Sequence, residues 1–249
     1  MLLRLHDRLE ARWPGRFSLA GLFAASTVAA QAALLDDADT AAGTAATAAT
    51  DGAIAIIGIG LRVAGAEDLA GFWQDVAAGA DRVGPPAAAR LGSARHIAAA
   101  AGIAMPATPR DAAWLDDIDG FDARRFRFSP ADAALLDPEQ RLFLETAQRA
   151  LEDAGLGGTA LKGARVAVHV GGNANPLHRQ ALRHLSGARL EQAFALNVPS
   201  NIATRLGFLN DWHGPASLVD TACSSGLVAV DAACRDLVRG TADLAIAGA

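Results

Sequence analysis

A mainly parallel β-sheet covered by helices, an α/β fold, is what this sequence predicts, and three observations predict it. Short, β-branched apolar runs recur along the chain, each giving way to small residues. Stretches of helical periodicity separate them, and alternation of the two is the pattern of parallel strands joined by crossover helices. Hydrophobic residues make up 51% of the 249 residues, which favours a packed core over disorder. The runs at 53–60 and 165–170 are largely apolar rather than alternating, so they read as buried strands.

Residues 1–35 predict a short helical segment. Leu2, Leu5 and Leu9 follow helical spacing with Arg4, Arg8 and Arg12 opposite; Pro14-Gly15 breaks the pattern; Ser18 is placed to cap a second helix through Leu22, Phe23, Val28 and Leu34. Residues 36–52 hold only Ala, Thr, Asp and Gly, a flexible-linker composition with a domain boundary in it. Ala53 to Gly60 reads as a buried strand, and 68–78 as a helix around Leu69, Phe72, Trp73 and Val76. The Ala-, Pro- and Gly-rich text of 79–110 supports no ordered prediction.

The best-signalled helix starts at Asp137 as N-cap, with Pro138 in the first helical position and Gln140 completing a capping box. Phe143, Ala147, Ala150, Leu151 and Ala154 form its apolar stripe, and Gly155 ends it. A strand over 165–170 follows, then helix over 188–209 interrupted at Pro199, and a strand over 217–222. The helix after Cys223 sets Leu227, Val230, Cys234, Leu237 and Val238 against Asp231, Arg235 and Arg239, with Asp231 and Arg235 paired at i,i+4. A last strand spans 244–247.

Charge excludes one class of partner: 22 Lys+Arg against 27 Asp+Glu leaves no basic footprint for nucleic acid. No membrane partner is expected either, since the stretch 19–35 carries Ser26, Thr27 and Gln31 and is short for a span. The start has no secretory signature. Cys223 and Cys234 are too far apart along one predicted helix for a disulfide, so a reducing cytoplasm is the expected compartment. Neither cysteines nor histidines show metal-ligand spacing, so no metal residue is assigned. Gly58-Ile59-Gly60 has Val63 where a dinucleotide fingerprint needs its third glycine, so it reads as a structural turn and no cofactor residue is assigned.

Cys223 stands apart. It ends an apolar strand-like run, its neighbours Ala222, Ser224, Ser225 and Gly226 are small enough to admit a substrate, and a helical pattern begins beside it. A helix start presents unpaired N–H groups and the positive dipole end, which suit a thiolate nucleophile and a developing oxyanion. Cys234, inside the helix, reads as structural.

Asp220-Thr221-Ala222-Cys223-Ser224-Ser225, followed by Leu227-Val228-Ala229, resembles the active-site signature of β-ketoacyl synthase domains from modular polyketide synthases. Other stretches look like the same family in the same order: 54–65, Trp114 to Asp122, Ser129-Pro130 through Leu142, and Asn201 to Leu209 running into His213-Gly214-Pro215. The resemblance implies a thiolase-like fold, two similar halves placed back to back, of which 53–249 would be the first, in a domain that is usually a homodimer. It implies Cys223 as the residue that takes an acyl chain from the phosphopantetheine arm of an acyl carrier protein. A decarboxylating malonyl-type extender on a carrier then attacks it in a Claisen condensation. The Cys223 N–H would be one oxyanion donor, and Thr221 and Ser224 elbow residues rather than chemical ones. More weakly, 1–35 looks like the last helices of an acyl carrier protein.

Three departures accompany the likeness. The family's two catalytic histidine contexts do not occur in these 249 residues, so the chain by itself is expected not to condense; the alternative is an interaction or scaffold fragment. Arg127 stands where small residues are common, and Gly226 replaces a usual serine.

Overall fold

The computed structural model describes residues 2–14, 22, 53–100, 102–106, 108–173 and 175–249. It divides into two compact units, Met1–Ala55 and Ile56–Ala249. In the first, helix α1 (Leu2–Arg12) forms where the leucine spacing predicts it. Apart from Leu22, the helix expected after Ser18 lies outside the described residues, as does the linker 36–52. Among the described residues no helix is long and apolar enough to cross a membrane.

The second unit opens with a correction. The buried strand expected over 53–60 does not form, and in the part that lies in this unit Ile56 and Ile57 stay 82% and 56% exposed. Composition alone cannot make a strand: a ladder needs a neighbour, and no described segment pairs with this one. The segment instead lies against a helix, α5 below. A Cβ on Gly58 would sit 2.3 Å from the Ala150 carbonyl oxygen, and one on Gly60 2.2 Å from that of Thr146. The two glycines therefore serve close packing of backbone on backbone.

Helix α2 (Leu69–Ala78) starts at Asp68, whose carboxylate accepts the Gly71 N–H at 2.8 Å, and stops at left-handed Gly79. Its predicted apolar stripe stays exposed at Leu69, Phe72, Trp73 and Val76. The stretch without a sequence prediction holds strand β1 (Val83–Gly84) and helix α3 (Ala88–Ala100); β1 pairs antiparallel with β2 (Ala112–Ala113). A single turn, α4 (Pro130–Ala133), is capped by Ser129. Just before it, Arg127 has a φ of 57°. That left-handed backbone is costly for any residue with a Cβ.

Helix α5 (Pro138–Asp153) has its predicted N-cap, since Asp137 accepts the Glu139 N–H at 3.0 Å. The capping box does not form. Gln140 turns inward and donates to Asn197 Oδ1 at 3.3 Å, and the same oxygen accepts the Asp137 N–H at 2.7 Å. A residue sixty positions away thus takes the role that the local pattern assigned to Gln140. Left-handed Gly155 follows the helix end.

Strand β3 (Val166–Gly171) comes next, then α6 (Pro176–Leu182), α7 (Gly187–Leu196) and α8 (Asn201–Asn210). Pro199 falls in the break between α7 and α8, as its sequence predicts. Strand β4 (Ala216–Val219), helix α9 (Ser225–Arg239) and strand β5 (Leu244–Gly248) complete the chain. The sheet order is β4-β3-β5, all parallel, with His169 opposite Ser217 on one side and Ala247 on the other.

All six residues of central β3 are buried. Alternation sends Val166, Val168 and Val170 to one face, where they form the core with Leu144 and Leu151 of α5, Ala203 and Leu206 of α8, and Trp212. Ala167, His169 and Gly171 go to the other face, under α9, which buries Ala229 and Ala233. Small residues let that helix come very close: a Cβ on Gly171 would lie 2.6 Å from the Ser225 carbonyl carbon. Gly171→Ala should therefore destabilise the protein by about 1–3 kcal/mol through overpacking against backbone. A lowered urea midpoint checks this; an unchanged one would mean that the start of α9 can retreat.

Candidate active site

Cys223 occupies the middle of a single 3₁₀ turn, Ala222–Ser224, that joins β4 to α9, and it is exposed. The extended strand ends at Val219, three residues before the sequence predicts, because the chain must reverse within a few residues. Ala222 carries the reversal with a φ of 54°. An alanine in left-handed backbone costs about 1–2 kcal/mol, so neighbouring contacts must impose it.

Those contacts are side-chain hydroxyls. Buried Ser225 accepts the Thr221 N–H at 2.9 Å and donates to the Ala222 carbonyl at 2.7 Å, bridging the strained residue. Ser224 Oγ donates to the Thr221 carbonyl at 2.8 Å and lies 2.9 Å from Thr221 Oγ1. Asp220 accepts the Ala222 N–H at 3.3 Å. The polar residues around the thiol are thus engaged in shaping the turn. The first turn of α9 follows at once, so its backbone N–H groups and positive dipole end lie beside the thiol. Cys234 is half-buried within α9 and has no free approach of this kind.

The histidines bond elsewhere. His178 is 3.1 Å from the Leu135 carbonyl, His184 contacts the Ala181 carbonyl, and His213 lies 3.6 Å from Asp211. Sequence reasoning found no metal-ligand spacing among the histidines, gave His169 no role, and missed its partners. It is 5% exposed and bridges Ser217 Oγ at 2.7 Å and Asp236 Oδ2 at 2.8 Å. No sequence signal links residues 169, 217 and 236, because register and helix phase bring them together. Among the described residues no group of three or more His, Cys, Asp or Glu is arranged to hold a metal ion. A shallow polar cleft past the end of β3 is lined by Gln140, Asn173, Asn175, His178 and Asn197 among others. Ligands of open α/β sheets commonly bind at this C-terminal edge, the edge that also carries Cys223.

A strand-turn-helix elbow presents an exposed thiol at the C-terminal edge of a parallel sheet, which makes this an α/β protein with Cys223 as its candidate reactive group. The family model described as "Beta-ketoacyl synthase, N-terminal domain" matches residues 51–249, and the chain belongs to that family. It is 34% identical over 227 residues to polyketide synthase ThaG of Burkholderia thailandensis, a match over 91% of this chain and 4% of that protein. To the 5-methyl-1-naphthoate synthase of Streptomyces sahachiroi it is 36% identical, over 78% of this chain and 11% of the other. Solved structures are similar as well. The ketosynthase from module 6 of the Bacillus subtilis bacillaene synthase matches with a TM-score of 0.61 and 28% identity, over 78% of this chain and 31% of that one. The oxazolomycin ketosynthase domain OzmH KS7 of Streptomyces albus matches with a TM-score of 0.60 and 32% identity, over 78% and 34%. The fold is thiolase-like, and the chain spans about a third of these ketosynthase structures and a small part of the curated relatives.

The Asp236 carboxyl is held below its usual range, first by the Thr241 hydroxyl that donates to it at 2.8 Å and then by His169 and Arg239. A depressed folded value gives stability that is present above the unfolded carboxylate range, about pH 4, and is lost as pH falls through the lower folded value. Asp236→Asn should therefore lower the urea midpoint at neutral pH, and the gap to wild type should close on acidification below about pH 4. A gap that does not depend on pH would contradict this.

Proposed function

We propose that Cys223 is the acyl-accepting nucleophile of a polyketide-synthase ketosynthase and that this chain carries the acyl-transfer half of its chemistry. The exposed thiol on a strained, hydroxyl-braced elbow at the start of α9 is the observation that carries the reading. The Cys223 sulfur attacks the carbonyl of an acyl thioester borne on a carrier protein's phosphopantetheine arm. The tetrahedral oxyanion is held by backbone N–H groups at the turn, that of Cys223 among them. The carrier thiol then leaves with the proton that Cys223 gives up, and the acyl group remains as a new thioester on the enzyme. In the complete domain a malonyl-type extender on a second carrier loses carbon dioxide. Its carbanion attacks this acyl-enzyme and expels the Cys223 thiolate, with the β-ketoacyl product left on the carrier.

The same reading makes acyl carrier proteins the partners, a homodimer the assembled state and the cytoplasm the compartment. It assigns residues 1–35 to the end of a carrier protein, 36–52 to a flexible linker and 53–249 to the first half of the ketosynthase. In support of an upstream piece in common, the likeness to ThaG covers 91% of the chain and so reaches past the matched family domain of 51–249.

Incubation of the chain with a simple acyl thioester, followed by peptide mass spectrometry, tests the transfer step. Acyl mass should appear on the Cys223 peptide, be absent from the Cys234 peptide, and vanish in Cys223→Ala. Label on Cys234 alone, or none on a folded wild-type chain, would favour the interaction-fragment alternative.

A further inference from the structure

The face of β3 that carries α9 consists of Ala167, His169 and Gly171. Two of the three have nothing to interdigitate with the helix, and Ala229 and Ala233 opposite them are equally small. Ridges and grooves normally set how one element sits along another, and an interface of this smoothness resists sliding poorly. His169 is its polar key. Asp236 on α9 accepts from the Nε2–H, and in the neutral ring Nδ1 is then the acceptor for the Ser217 hydroxyl on β4. Thr241 secures the carboxylate from its other oxygen.

These bonds close a ring. From Ser217 the chain runs up β4, turns through Cys223 and returns along α9 to Asp236, about 16 Å down the helix from Ser225. His169 ties the two arms together at the end opposite the thiol. At the other end sits Ala222, held at a φ of 54°. Strain of this kind persists only where the surroundings over-determine the backbone, and Ser225, which braces the turn, is also the first residue of α9 and lies against Gly171 of β3.

We propose that His169 is a positioning residue for Cys223: bridging Ser217 and Asp236, it fixes α9 against β4 and so holds the nucleophile elbow in its reactive shape. The inference rests on Cys223 being the nucleophile, but it is read through a different reaction.

The test is the rate of Cys223 alkylation by iodoacetamide in the full 249-residue chain, followed by peptide mass spectrometry with Cys234 as internal reference, alongside the thermal midpoint. His169→Gln places an amide N–H near the Nε2 position and keeps the link to Asp236, so its rate should stay within about twofold of wild type. His169→Leu should slow Cys223 by about tenfold or more, because the sulfur moves away from the positive end of α9, and leave Cys234 unchanged. Adding Asp236→Leu removes the part-buried carboxylate that has lost its histidine partner and should raise the midpoint again without restoring the rate. Wild-type reactivity in folded His169→Leu or in the double variant would overturn the proposal. Where the leucine variants do not fold, His169→Asn, which reaches only Ser217, should be slow; a rate equal to that of His169→Gln would equally overturn it. Acylation of the wild type is scored separately: a chain alkylated at Cys223 that takes no acyl group removes the acyl-transfer reading and leaves this one standing.

Discussion

Strand β3 is buried on both faces, and the unequal size of its side chains on those faces organises the second unit. Valines on one side interlock with α5 and α8, each fully buried valine contributing about 1.5–3 kcal/mol from the water it sheds. Small residues on the other side let α9 descend until backbone nearly meets backbone at Gly171 and Ser225. The helix that begins beside Cys223 takes its height above the sheet from that contact. A β4 strand paired in parallel with β3 then delivers Cys223 to the same edge of the sheet.

An exposed thiol and backbone strain coincide at the elbow for a mechanical reason. A chain that leaves a strand and enters a helix within a few residues needs one residue in left-handed backbone, and here that residue is Ala222 rather than a glycine. The hydroxyls of Ser224 and Ser225 supply the local hydrogen bonds that make this conformation tolerable. His169, Ser217 and Asp236 fasten the same two elements at the far end. Cys223 thus stands on a closed loop of backbone and side-chain bonds, which leaves the thiol exposed without leaving it loose.

Much of the architecture was legible in the linear sequence. Asp137-Pro138 began a helix, Pro199 separated two, and the β3, β4 and β5 runs became the parallel sheet. Failures came where a local pattern competed with a distant partner. The 53–60 run has strand composition but finds no ladder partner among the described residues, and Gln140 abandons the capping box because Asn197 is within reach. The apolar spacing of α2 marked a helix correctly but not a buried one, since periodicity reports a stripe and not whether anything covers it.

The sequence by itself determined the thiol, its small neighbours, the strand before it and the helix after it, because all of these lie within one short stretch and obey local rules. It also carried the family likeness. Tertiary structure alone decided what holds the elbow from outside: that Gly171 sets the height of α9, and that His169 reaches Ser217 and Asp236 at once. The histidine's contacts join residues 48 and 67 positions apart. They exist only after parallel register and helix phase have been chosen, a choice that depends on the whole packed sheet and on no single stretch of chain.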